Sequence, residues 1–95
     1  FTYGAITANS IIDNNVNAGN AAGIRLGGTA TGAAEFITVV GNTICNTATG
    51  AQSIGVLLQA KAANNVVVGN TISGNDVAQV TDNGTNNDIS HNVGY

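Results

Sequence analysis

Four short segments of this chain obey one pattern, x-Φ-x-x-Asn-x-Φ, where Φ is apolar: Ala5-Ile6-Thr7-Ala8-Asn9-Ser10-Ile11, Thr38-Val39-Val40-Gly41-Asn42-Thr43-Ile44, Val66-Val67-Val68-Gly69-Asn70-Thr71-Ile72 and Asp88-Ile89-Ser90-His91-Asn92-Val93-Gly94. Only Gly94 departs from it. A second pattern, Gly-Φ-x-Φ, precedes each of the last three, as Gly23-Ile24-Arg25-Leu26, Gly55-Val56-Leu57-Leu58 and, with the glycine lost, Val77-Ala78-Gln79-Val80. Self-similarity of this kind restricts the fold more than any local propensity does, because each unit must bury its apolar residues against the next. The intervals between the pattern asparagines shrink from 33 to 28 to 22 residues. A helical-hairpin repeat of fixed length could not tolerate that change, whereas a coil with variable corners can.

Local chemistry agrees with the coil. β-Branched residues fill the short segments, and Asn and Gly fill the joints, where left-handed backbone conformations cost them little. Strands of this length alternate one residue in and one out. The expected inward columns are Ile6, Val39, Val67 and Ile89; Ile11, Ile44 and Ile72; Ile24, Val56 and Ala78; and Leu26, Leu58 and Val80. Like residues then stack on like at roughly 4.8 Å per layer. That stacking fills a narrow core in a chain that is 43% apolar but only 4% aromatic, with no Trp and no Met. A core of Ile, Val, Leu and Ala in 95 residues is thin, so support beyond apolar burial is expected.

The order Gly-Ile-x-Leu followed by Asn-Asn-x-Ile-x-x-Asn-x-Ile-x-x-Asn has its best copy in Asn64-Asn65-Val66-Val67-Val68-Gly69-Asn70-Thr71-Ile72-Ser73-Gly74-Asn75. It resembles the repeats of right-handed parallel β-helices of the carbohydrate-binding and sugar-hydrolase type, the pectate-lyase-like group that includes phage tailspikes. The resemblance covers nearly the whole chain and implies an all-β fold: one single-stranded right-handed parallel β-helix (β-solenoid) of about four coils over residues 1–95. It implies that Asn9, Asn42, Asn70 and Asn92 stack into a structural ladder whose amides satisfy backbone groups and one another. For function it implies polysaccharide recognition or processing outside the cell or on a virion surface. A structural or adhesive shaft within a fibre is the alternative, and low charge and few aromatics favour it.

Composition excludes other classes. Charged residues make up 7% of the chain, five acids against Lys61 and Arg25, for a net charge of −3. No basic stripe is available to neutralise a phosphate backbone, so nucleic acid is not expected as a partner. Cys45 is the single cysteine and His91 the single histidine, which rules out an internal disulfide and a structural zinc site. The acids lack the close Asp-x-Asp spacing of a calcium loop, so no metal or other cofactor is expected. No apolar run approaches the ~18 residues of a membrane span. The opening Phe1-Thr2-Tyr3-Gly4 lacks the features of a signal peptide, and a start without Met fits a processed product or a piece of something longer.

Chemistry could sit where the coils are longest. Insertions are expected at Asn15 to Ala22, at Ala48 to Ile54 and at Gly27 to Phe36, with only Asp76 at the matching place in the third coil. Such loops would wall a groove whose floor is a sheet face. Glycoside hydrolysis needs two carboxyl groups about 5–10 Å apart. A polysaccharide lyase needs instead a base and a cation to hold a uronate carboxylate. Asp82 and Lys61 are expected as neighbours on adjacent coils and are the best pair for the lyase role. An ordinary surface ion pair is the plain alternative. Glu35 and Asp13, in or beside loops, are candidates to face each other across a groove, and His91 belongs at a solvated turn. The outward residues Arg25, Leu57 and Gln79 leave Leu57 exposed, and with Val40 and Val68 it is expected to form an apolar stripe for subunit contact. Unsealed columns at both ends point the same way, to a homo-oligomer, with a trimer as the tailspike-like choice, or to further coils in a longer chain.

Overall fold

The computed structural model describes residues 2–14, 22–47 and 52–94. Among them there is no helix. Eleven strands follow in chain order: β1 (Thr2–Thr7), β2 (Ser10–Ile12), β3 (Ala22–Leu26), β4 (Ala34–Val40), β5 (Thr43–Cys45), β6 (Ile54–Leu58), β7 (Ala62–Ala63), β8 (Val66–Val68), β9 (Thr71–Ser73), β10 (Ala78–Asp82) and β11 (Asp88–Ser90). They form three separate sheets in which every pairing is parallel. Sheet A has the order β1-β4-β8-β11 with β7 also on β4, sheet B has β2-β5-β9 and sheet C has β3-β6-β10. The chain visits them always in the order A, B, C. This order suits parallel pairing, since a strand cannot pair in parallel with its predecessor without a crossover.

The joints are where the sequence spends its left-handed residues. Ala8, Gly41, Gly69 and His91, each preceding a ladder asparagine, have φ of 56°, 71°, 67° and 55°. A second such set is Tyr3, Phe36, Asn64 and Asn86, at φ between 54° and 58°. Asn accepts this region readily, but bulky Tyr and Phe do so at a cost.

Sheets A and B have the expected register. Ile6 lies opposite Val39, Val39 opposite Val67 and Val67 opposite Ile89, and Ile44 lies between Ile11 and Ile72. Sheet C departs from expectation in its third strand. Val80, not Ala78, continues the Ile24–Val56 column, and Asp82, not Val80, lies opposite Leu58. The equivalent of Gly23-Ile24-Arg25-Leu26 is therefore Gln79-Val80-Thr81-Asp82. The glycine is replaced by a glutamine whose amide is used in the interior, and this hides the repeat. Residues of all three sheets, among them Ile24, Leu58, Val39, Val67, Ile44 and Ile72, form one apolar cluster.

Amide side chains supply the support that a thin core lacks. Asn9, Asn42 and Asn70 each donate their backbone N–H and their Nδ2 to the Oδ1 of the next ladder asparagine, ending at Asn92, over distances of 2.9–3.1 Å. The Nδ2 groups of Asn42, Asn70 and Asn92 also donate to the strand carbonyls of Ile6, Val39 and Val67 respectively. Two further sets were not anticipated. Asn65 accepts from Ile37 N and donates to Asn87, while Gln52, Asn75 and Gln79 link Nε2 to Oδ1 and Nδ2 to Oε1, each at 2.8 Å. Among the described residues no buried side-chain nitrogen or oxygen lacks a partner.

The expected apolar stripe does not form. Leu57 lies in sheet C and is only 6% exposed, whereas Val40 and Val68 face each other in sheet A. The expected loops need adjustment too. Ala22 and Ile54 already belong to strands and Phe36 lies inside β4, so the connection after Leu26 ends at Ala33. Residues 15–21 and 48–51 lie outside the described residues.

Candidate functional site

The side of sheet C that faces away from the core carries a concavity. Arg25, Leu57 and Thr81 lie opposite one another on β3, β6 and β10, because residues between the inward columns must point outward. They make the floor. Thr29, from the connection after β3, Gln59 and Ala60, after β6, and Asn83, after β10, line the sides of a groove of about 560 Å³. That volume falls within the ~300–1,000 Å³ usual for small-ligand sites. The groove offers a guanidinium, hydroxyls and side-chain amides beside the apolar Ile54, Leu57 and Ala60, and its polar groups can donate to and accept from hydroxyl groups. A second concavity of about 510 Å³, more apolar, lies against Ile6, Leu26, Arg25 and the Gly27–Ala34 segment.

Packing behind the floor is tight. Gly23 and Gly55 sit on β3 and β6 where an added Cβ would press on the interior amides, 3.0 Å from Gln52 Nε2 and 2.9 Å from Asn75 Nδ2 respectively. The third amide set thus holds the rear of the sheet whose front is the groove. No sequence signal flagged that link, because Gln52 and Gln79 fall outside the asparagine pattern.

None of the four candidate catalytic residues lines either concavity. Asp82 ends β10, and its Oδ1 accepts from Gly84 N and from Asn87 Nδ2, both at 2.9 Å. Lys61 is exposed in the turn between β6 and β7, where its backbone N–H donates to Gly28 O. The two belong to adjacent layers, yet the contacts of the Asp82 carboxylate are these turn groups and not the ammonium. Glu35 is half-buried in β4, opposite Thr2 and Ala63. Asp13 follows β2 on sheet B and grips Thr47, accepting from its N at 2.6 Å and its Oγ1 at 2.5 Å. Those hydrogen bonds, the hydroxyl's first, hold the Asp13 carboxyl below its ordinary value of 3.8. Glu35 thus lies in sheet A, whereas Asp13 lies just beyond a strand of sheet B.

The aromatics gather elsewhere. Tyr3 and Phe36 stack with ring centroids 5.0 Å apart and planes 10° from parallel, at the left-handed corner before sheet A's long run, and both are exposed. Phe1 and Tyr95 lie outside the described residues. His91 is exposed at its turn, as its spacing indicated. Among the described residues no three His, Cys, Asp or Glu side chains converge, and no helix is long and apolar enough to cross a membrane. No family model, no curated protein and no solved structure matches the chain.

Proposed function

We propose that the chain is a segment of a right-handed parallel β-solenoid of about four coils that recognises a polysaccharide in the groove along sheet C, outside the cell or on a virion surface. The cyclic order of the sheets, the like-on-like columns and the asparagine ladder support the solenoid. One observation carries the recognition reading: Arg25, Leu57 and Thr81, aligned across three strands, form a floor of hydrogen-bonding groups around one apolar residue. Binding is favoured over cleavage, because hydrolysis asks for two carboxyl groups at the substrate and, among the described residues, no Asp or Glu lines the groove. Function here rests on the site and not on the architecture.

The second reading, a shaft without ligand, is favoured by the three amide sets, which tie successive strands together in a chain with little apolar bulk. Assembly into a homo-oligomer, a trimer among the choices, fits either reading. A panel of surface polysaccharides, assayed together for binding and for new reducing ends, separates the possibilities. The recognition reading expects binding without new ends. Absence of binding across the panel favours the shaft, and new reducing ends would return Asp82, Lys61, Glu35 and Asp13 to consideration as catalysts.

A further inference from the structure

Asn83-Gly84 is the only place in the chain where asparagine precedes glycine. We propose that it is a site of spontaneous deamidation, in which the Asp82 carboxylate takes the amide proton from the attacking nitrogen of Gly84. In the first step the Gly84 nitrogen bonds to Asn83 Cγ, its proton passes to Asp82 Oδ1 and on to the leaving group, and the Cγ–Nδ2 bond breaks to release ammonia. Water then opens the resulting succinimide at either carbonyl, giving aspartate or, by the other opening, an isoaspartyl linkage. No oxidant or cofactor is required.

Three observations single out this asparagine. Asn83 is exposed at the side of the groove. Glycine leaves the attacking nitrogen uncrowded, and Gly84 is fixed at its position, since an added Cβ would fall 2.0 Å from Ala62 O. Most tellingly, Gly84 N donates to a carboxylate, Asp82 Oδ1, at 2.9 Å. At the ladder asparagines the nitrogen that would attack is locked into backbone pairing: Thr43 N to Asn9 O, Thr71 N to Asn42 O and Val93 N to Asn70 O. Their amides are engaged in the ladder as well.

The chain carries its own control. Asn46 is likewise followed by a nitrogen held to a carboxylate, Thr47 N on Asp13 Oδ1 at 2.6 Å. That nitrogen belongs to a β-branched residue, however, and Asn46 is buried. Carboxylate contact alone is present at both places, whereas access and a bare Cα are present only at Asn83.

The consequences are local. The product adds a negative charge beside the groove that Arg25 floors. The isoaspartyl form also adds a methylene to the main chain between two anchored points, Asn83 N on Leu58 O and Thr85 N on Ala62 O, at 2.8 and 3.0 Å. The Thr85 carbonyl, which accepts from Asn64 N, is drawn with it. The connection from β10 to β11 therefore loosens with age.

The test is to incubate the folded chain at mildly alkaline pH and map its peptides by mass spectrometry with isoaspartyl-specific methylation. Asn83 is expected to react at least about tenfold faster than Asn46, Asn42 or Asn70. D82N keeps an acceptor oxygen for Gly84 N but removes the base, and it is expected to slow the Asn83 reaction at least about tenfold, below the ~100-fold that general-base catalysis commonly supplies. A second comparison needs no variant: unfolding the wild-type chain in urea is expected to slow Asn83 by separating the two groups. Equal rates in D82N and wild type, an Asn83 rate that rises in urea, or an Asn83 that outlasts Asn46 would each overturn the proposal.

Discussion

The corner that holds Asn42 and Asn70 and the face that holds Arg25, Leu57 and Thr81 are both built from parallel strands paired layer on layer, yet they vary in opposite ways. At the corner every layer repeats one residue type, and each Oδ1 is committed to the layer before it. On the face each layer differs, from arginine to leucine to threonine. A buried amide column admits no substitution without leaving a neighbour unpartnered, whereas outward residues between inward columns are free to change. The repeated geometry of the first is what leaves the residues of the second free to vary.

The sharpest way to break this contrast is to cut the ladder. Asn70→Ala removes the acceptor of Asn42 N and Nδ2 and the donor to Val39 O and Asn92 Oδ1, at a residue only 1% exposed. With each stranded buried group costing about 1–3 kcal/mol, a loss of about 3 kcal/mol or more is expected. Thermal unfolding should then fall by more than about 10 °C. A melting point within a few degrees of wild type would make the ladder an ornament of the fold.

Next come two glycines, one from each sequence pattern. Gly55→Ala would put a Cβ 2.5 Å from Gln79 O and from Ile72 Cγ2. Overpacking of this kind costs about 1–3 kcal/mol. Gly41→Ala meets nothing within 4 Å and carries only the left-handed strain, in a column where Ala8 and His91 already sit at similar φ. Its cost should be about 1 kcal/mol. Denaturant unfolding of the two variants should rank them in that order, and the reverse ranking would show that strain at the corner outweighs packing behind the groove.

Much of this was legible because the asparagine pattern ties each strand of sheets A and B to a fixed joint. Ile6, Val39, Val67 and Ile89 could be aligned by counting from Asn9, Asn42, Asn70 and Asn92. Sheet C has no such anchor. Its glycines are required where the next strand's carbonyl, an Ile methyl and the amide of Gln52 or Asn75 crowd the backbone, and in the third strand Gln79 stands in the glycine's place, two residues beyond the position that the pattern suggests. The groove was illegible for a related reason. Its sides come from connections, Thr29, Gln59, Ala60 and Asn83, whose positions depend on how each strand exits. Leu57 read as an exposed oddity because alternation gives the direction of a side chain and not the depth of the surface around it.

The smallest expected effect lies at Asp13. The Thr47 hydrogen bonds lower its folded pKa, so the carboxylate's contribution to stability is present above the unfolded value of 3.8 and is lost as pH falls through the lower folded value. Asp13→Asn should therefore melt slightly below wild type near neutral pH, with the gap closing at pH well under 3.8. A gap that persists in acid would mean that the shape of the side chain, and not its charge, holds Thr47.

The claim that the ladder carries the fold while the sheet C face carries recognition is tested most directly by filling the groove. Thr81→Arg places a long side chain on the floor beside Leu57 without touching an amide column. Titration of a bound polysaccharide into this variant, with its melting curve recorded alongside, is predicted to show affinity lost at least about tenfold while the melting point stays within a few degrees of wild type, an exposed-face effect of under about 1 kcal/mol. Unchanged affinity with the groove filled would contradict the account.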